Sequence, residues 1–241
     1  MKHIPNLITL LNLASGFISV IFVINGDLVT ASWLLLAAMI FDFLDGFSAR
    51  LLKAYSDIGK ELDSLADVIS FGLAPASIIY RLLSRSMELS EPFTIGHEGF
   101  LPFIILCSTT IMPVCAGLRL AIFNTDETQS RSFKGLPTPA NALAVISLVI
   151  SARYSGTAAS TWLISSPPAL VVLTIVLSLL MVSRVPLLSL KISNLRFKGN
   201  EGLYILVFLT AVSFALGGGI AAAYLLIPIY IVSSLAHQLF K

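Results

Sequence analysis

Eight apolar stretches, at roughly 5–24, 29–52, 61–83, 100–121, 138–153, 168–188, 202–217 and 219–238, alternate with short polar connections along the chain. Six of them approach the ~20 residues that a membrane-spanning helix needs. The fifth and seventh are shorter and are expected to be tilted, extended by their flanks or partly re-entrant. None has the period-two rhythm of outer-membrane strands. The pattern predicts an all-α integral membrane protein, a bundle of about eight transmembrane helices forming a single domain over residues 1–241. The first stretch is expected to be a retained helix and not a cleaved leader. Pro5 opens it, Asn6 and Asn12 interrupt it, and no small-x-small cleavage site precedes Asp27.

Composition agrees with the pattern. The chain is 56% hydrophobic and 12% charged, with a mean hydropathy of +0.92; a soluble domain carries about twice that charged fraction. A net charge of +2 gives no reason to expect a nucleic-acid partner. Cys107 and Cys115 lie eight apart in one apolar stretch, which makes a disulfide between them geometrically unfavourable. The three histidines are scattered, so no zinc constellation is expected.

The basic residues orient the bundle. With the amino terminus in the cytoplasm, Lys2, Arg50, Lys53, Lys60, Arg119, Arg131, Lys134, Arg184, Lys191, Arg196, Lys198 and Lys241 fall on that side, and only Arg81, Arg85 and Arg153 fall outside. Positively charged loops stay in the cytoplasm. The expected location is therefore a cell membrane, the inner one in a bacterium, with the turn between Asp45 and Asp63 cytoplasmic.

That turn joins the most unusual part of the chain. It reads Asp42-x-x-Asp45-Gly46-x-x-Ala49-Arg50, then eight residues, then Gly59-x-x-x-Asp63-x-x-x-Asp67. Carboxylates on membrane helices are costly unless paired, solvated or metal-bound. On a helix Asp42, Asp45, Gly46 and Ala49 share one face, and Gly59, Asp63 and Asp67 share another. Two antiparallel helices would therefore turn four carboxylates into one gap. An oxygen-only ligand set favours a hard divalent cation, Mg²⁺ or Mn²⁺, and carboxylates from two helices could bridge two ions about 3.5–4 Å apart. Gly46 and Ala49 would let a diphosphate approach the helix backbone, Gly59 would keep the second helix clear, and Arg50 would add a cation for phosphate oxygens. The competing account makes the aspartates helix caps or surface charges. On the first helix Asn6, Thr9, Asn12 and Gly16 form a polar stripe. It serves either to hydrogen-bond a nucleotide or ribose or to hold helices together.

The run from Asp42 to Asp67 resembles the signature of the CDP-alcohol phosphatidyltransferase family, with all eight fixed positions matched over twenty-six residues. The resemblance implies transfer of a phosphatidyl group from a CDP-linked lipid to an alcohol with release of CMP. It also implies a six-helix core, a homodimer and a two-metal site facing the cytoplasm. On this match Asp42, Asp45, Asp63 and Asp67 are the metal ligands and Asp67 is the general base. Gly46 and Arg50 sit beside the cytidine diphosphate. The core would span about 1–190, with an additional helix pair at about 202–238.

A second stretch bears on the alcohol. Gly117-Leu-Arg119-Leu-Ala-Ile122-Phe123-Asn124 is followed by Phe133-Lys134-Gly135-Leu136-Pro137-Thr138-Pro139. Together with Ile4-Pro5-Asn6 and Val182-Ser183-Arg184-Val185-Pro186, it resembles the phosphatidylserine synthase branch. Ile122 departs from that branch, which more often has Arg before the Phe-Asn pair. Serine is a zwitterion; Arg119 or Lys134 could hold its carboxylate and the Asn124 carbonyl its ammonium. The alternative for these residues is positive-inside bias and contact with anionic headgroups. Gly135-Leu-Pro137 could also simply start the fifth helix. CDP-diacylglycerol and L-serine are the expected substrates, within membrane lipid. Glycerol phosphate and inositol are the alternative acceptors. A cation or proton transporter is the reading from another class, disfavoured because no second copy of the acidic unit occurs later in the chain.

Overall fold

The computed structural model describes residues 3–90, 93–125, 135–154, 156–187 and 201–239, and among these it is a helical bundle without strands. Every predicted apolar stretch contains a helix. Helix α1 spans Ile4–Ile24, α2 Leu28–Leu51, α3 Asp57–Ser86 and α4 Phe100–Thr125. Then come α5 (Thr138–Tyr154), α6 (Ala158–Ser165), α7 (Pro167–Val182), α8 (Glu201–Leu216) and, after a 3₁₀ segment at Gly219–Leu225, α9 (Leu226–Leu239). Among the described residues, five or six of the eight expected spans are long and apolar enough by themselves. Helices α1 to α4 and the stretch Gly219–Ala236 are long and apolar enough to cross a membrane, and α5 with α6 makes a sixth if the two form one broken span. Helix α7 has only sixteen residues, fewer than the apolar stretch suggested, because it stops at Val182 before Val185-Pro186.

Local chemistry sets the helix ends. Pro5 occupies the first turn of α1, where its missing N–H costs nothing. Asp27 caps α2 by accepting the Thr30 N–H at 3.0 Å, and Ser56 caps α3 by accepting the Gly59 N–H at 3.0 Å. Only five residues, 52–56, separate α2 from α3, and α1 packs against both, which keeps the acidic segments together.

Helices α3 and α5 supply much of the interior, with Phe71, Ile78, Ile79, Val145 and Ile146 fully buried. Helix α1 packs most extensively on α2 and also on both halves of α3. Leu7, Phe17, Ile21, Trp33, Ile40 and Phe43 face outward, as expected where the solvent is hydrocarbon. Small residues permit the closest approaches, as is usual between membrane helices. A Cβ on Gly16 would lie 2.8 Å from the Ser70 backbone, and one on Gly72 would lie 2.9 Å from the Ala116 Cβ.

Between Val68 and Leu73 helix α3 widens into a π-helical turn, in which the Ala74 N–H bonds the Ile69 carbonyl. The sequence contains its cause. Pro75 has no N–H, so the Phe71 carbonyl four residues earlier loses its ordinary α-helical donor. Turns of this kind concentrate at functional sites. Asp67 is the last residue before this one.

Candidate active site

The facing ends of α2 and α3 bring the aspartates together as the spacing predicts. One oxygen from each of Asp42, Asp63 and Asp67 lies within 4.8 Å of the others. Asp45 is outside this tight group but close enough to interact electrostatically with Asp42 and Asp63, and the Thr9 hydroxyl approaches its carboxylate. Asp45 and Asp67 are buried, while Asp42 and Asp63 are half-buried. The stripe on α1 thus touches the site through Thr9, whose hydroxyl also donates to the Pro5 carbonyl at 3.1 Å.

The other sequence-selected residues divide. Gly46 is open, with only the Arg50 Nη2, 4.0 Å from a hypothetical Cβ, nearby. Ala49 is half-buried on the same helix. Arg50 is exposed and its Nε donates to the Gly46 carbonyl at 2.9 Å, so the guanidinium folds back beside that open position. Gly59 differs from expectation. The space over it is filled by Asn6, whose Oδ1 would be 2.9 Å from an added Cβ, so here the glycine seats a side chain of α1. Asn12 is fully buried with both amide atoms lacking a hydrogen-bond partner, and its backbone carbonyl accepts the Ser70 hydroxyl at 3.0 Å.

On the second stretch, Arg119 is buried on α4 within electrostatic range of Asp67 and of Tyr230 on α9, and its Nε lacks a hydrogen-bond partner. The additional helix pair therefore reaches the edge of the site. Asn124 donates from Nδ2 to the Ser64 hydroxyl at 2.8 Å, and its backbone carbonyl accepts Lys60 Nζ at 3.1 Å. Lys134 and Arg131 lie outside the described residues. Sequence reasoning missed Thr138, Ser64 and Asn141. Thr138 donates to Asp67 Oδ2 at 3.3 Å and Asn141 Nδ2 to the Phe71 carbonyl at 3.0 Å. The only available signal was the Gly135-to-Pro139 motif that ends on Thr138 and Pro139, read as a helix start.

The donor set suits a divalent cation. Asp45 Oδ2 and Asp67 Oδ1 are buried oxygens without a hydrogen-bond partner, a costly arrangement for carboxylates in a low-dielectric setting. The carboxylates offer only oxygens, the preference of hard ions. Closely spaced carboxylates relieve their mutual repulsion best around a cation.

The structure thus defines a helical bundle with membrane-length helices and a carboxylate cluster that could hold a metal ion. The family model described as CDP-alcohol phosphatidyltransferase matches residues 2–185, and the chain belongs to this family. Among curated relatives, it is 32% identical to a CDP-diacylglycerol–serine O-phosphatidyltransferase of Mycobacterium leprae, over 98% of this chain and 73% of the relative. It is also 32% identical to a protein of the same description from Bacillus subtilis, over 77% of this chain and 89% of the relative. An archaetidylserine synthase of Methanothermobacter thermautotrophicus is 36% identical over 63% of this chain and 60% of its own length.

Proposed function

We propose that the chain transfers the phosphatidyl group of CDP-diacylglycerol to the hydroxyl of L-serine and releases CMP. The gathering of Asp42, Asp63 and Asp67 oxygens within 4.8 Å on two adjoining membrane helices carries the reaction class. The choice of serine is supported by the relatives' names, which share serine while differing in the lipid. Arg119 and Asn124 add chemical support. A buried guanidinium suits the serine carboxylate. The Asn124 amide, engaged through nitrogen on Ser64, keeps its carbonyl as an acceptor for the ammonium.

Asp42, Asp45, Asp63 and Asp67 would hold Mg²⁺ or Mn²⁺, two ions in our reading. When bound, such ions neutralise the diphosphate and stabilise charge on the phosphoryl and leaving oxygens. Gly46 and Ala49 leave room for the diphosphate against α2, with Arg50 beside it. Asn6, Thr9 and Asn12 line the α1 side of the nucleotide, and Gly59 acts by seating Asn6. Asp67 takes the proton of the serine hydroxyl as that oxygen attacks the phosphorus nearer the lipid. The bond from this phosphorus to the oxygen shared with CMP breaks, and CMP leaves with the electron pair. The basic-residue count supports an amino terminus and a site facing the cytoplasm. A homodimer is the assembly that the family resemblance supports.

The deciding assay incubates the purified protein with CDP-diacylglycerol, Mn²⁺ or Mg²⁺, and serine, glycerol 3-phosphate or inositol in parallel. CMP release with serine alone is expected. No release with any of the three defeats the enzyme reading, and release only with another alcohol moves the acceptor. For the topology, Tyr55→Cys should label with an impermeant thiol reagent only from the cytoplasmic side. Crosslinking in the membrane checks the dimer.

A further inference from the structure

The first turn of α5 is fastened to its surroundings more tightly than a helix start requires. Just before it, the Gly135 N–H donates to the Val185 carbonyl and the Leu136 N–H to the Leu180 carbonyl, both at 2.9 Å. Gly135 has φ +77°, and a Cβ there would lie 2.6 Å from the Met181 carbonyl oxygen, so a glycine is required on both counts. The chain is thus pinned to the end of α7 immediately before Thr138.

One turn of α5 then grips α3 just before and within the π-helical turn. Thr138 and Asn141, three apart and so on one face, are buried, at 1% and 0% exposure. Thr138 Oγ1 donates to Asp67 Oδ2 at 3.3 Å, before the turn. Asn141 Nδ2 donates to the Phe71 carbonyl at 3.0 Å, the group that Pro75 deprives of its helical donor. From the opposite side Ser70 donates to the Asn12 carbonyl at 3.0 Å. A π-helical turn carries an extra residue per hydrogen-bonded ring, so it rotates the helix on its amino-terminal side relative to the helix on its carboxy-terminal side. The direction in which Asp67 points therefore depends on where the widened turn is clamped.

We propose that Thr138 is a positioning residue for Asp67: its hydroxyl holds Oδ2 and so sets the attitude of the carboxylate, while Asn141 fixes the rotation of the turn behind it. This rests on the assignment of Asp67 as the base. Thr138 itself touches no reacting atom. Its effect is geometric, since a carboxylate free to swing would meet the acceptor hydroxyl in the wrong attitude for much of the time.

The test measures CMP release by the full-length protein, with serine and CDP-diacylglycerol varied separately, in the wild type, Thr138→Val, Thr138→Ala and Thr138→Ser. Removing the hydroxyl is expected to lower kcat about 10–100-fold, as loss of groups that orient site carboxylates does. The two KM values should stay within about twofold and Thr138→Ser should recover most of kcat, since uniform binding is untouched when only transition-state geometry suffers. Binding of CDP by calorimetry reports folding. Should Thr138→Val lose CDP binding, Thr138→Ala, which places no methyl against the carboxylate, decides. Full kcat without the hydroxyl, a serine variant no better than alanine, or a rise in serine KM at constant kcat would each overturn the proposal. Failure of the underlying reading looks different. A wild type that uses another alcohol moves the acceptor, and the same variants are then compared with that alcohol. An active Asp67→Asn removes the base, and this inference with it.

Discussion

The side-chain amide of Asn124 donates to the Ser64 hydroxyl at 2.8 Å, tying the end of α4 to the face of α3 next to Asp63. A side chain held at one end has little entropy left to lose when it meets a ligand. Asn124→Leu should therefore raise the serine KM by about 10-fold or more, the cost of about 1.4 kcal/mol of lost polar contact. The KM for CDP-diacylglycerol should be unchanged. Ser64→Ala should give a smaller shift in the same direction. Steady-state CMP release with serine varied at saturating lipid separates these outcomes; equal shifts in both KM values would remove Asn124 from the acceptor pocket.

Arg119→Gln should also act on serine. A buried guanidinium facing a carboxylate contributes a charge-assisted hydrogen bond of about 1.5–3 kcal/mol, so the serine KM should rise about 10–100-fold. Arg119→Lys should recover only part of this, because an ammonium cannot reproduce the planar fork. A variant with normal serine KM would leave Arg119 as a partner of Asp67 and Tyr230 alone.

Metal removal should stop the reaction. Dialysis against EDTA is expected to abolish CMP release, and Mn²⁺ or Mg²⁺ to restore it. Asp42→Asn and Asp63→Asn, within the tight oxygen cluster, should each raise the metal concentration for half-maximal activity more than Asp45→Asn does. Titration of activity with Mn²⁺ reads the order directly, and an inverted order would place the principal ion nearer Asp45.

Gly16→Ala should destabilise the bundle. The new methyl would lie 2.2 Å from the Ser70 Oγ and 2.8 Å from its Cα, so a rotamer change alone gives no relief. Overpacking of this kind costs about 1–3 kcal/mol. A lowered thermal midpoint in detergent is expected, with activity reduced because Ser70 lies in the turn directly after Asp67. A midpoint equal to the wild type would show that α1 and α3 separate freely.

At the other end of the helices, Asp27 caps α2. Hydrogen bonds from Thr30, first its side chain and then its backbone N–H, hold the Asp27 carboxyl below the ordinary aspartate range. A depressed folded pKa means that the stabilisation is present above the unfolded value, about 3.9, and is lost as pH falls through the folded one. Asp27→Ala should lower the thermal midpoint at neutral pH, and the gap to the wild type should close in strong acid. A gap that widens on acidification would assign the cap another origin.

The sequence by itself determined the helical class, the positions of the helices and the aspartate face. Apolar length and three- and four-residue spacing act locally, and a five-residue connection keeps the acidic ends of α2 and α3 close. What only the tertiary structure decided lies between residues distant in the chain. Asn6 fills the space over Gly59, Asn124 is bound to Ser64, Tyr230 approaches Arg119, and Thr138 meets Asp67 across seventy-one positions. Which helices are long enough to span also emerged there, because α7 and α8 are short and α5 is succeeded by a separate α6. Hydrophobic periodicity records which face of a helix is buried, but not which polar partner waits in the neighbouring helix. That choice depends on packing distance and rotation, which are set when the whole bundle closes.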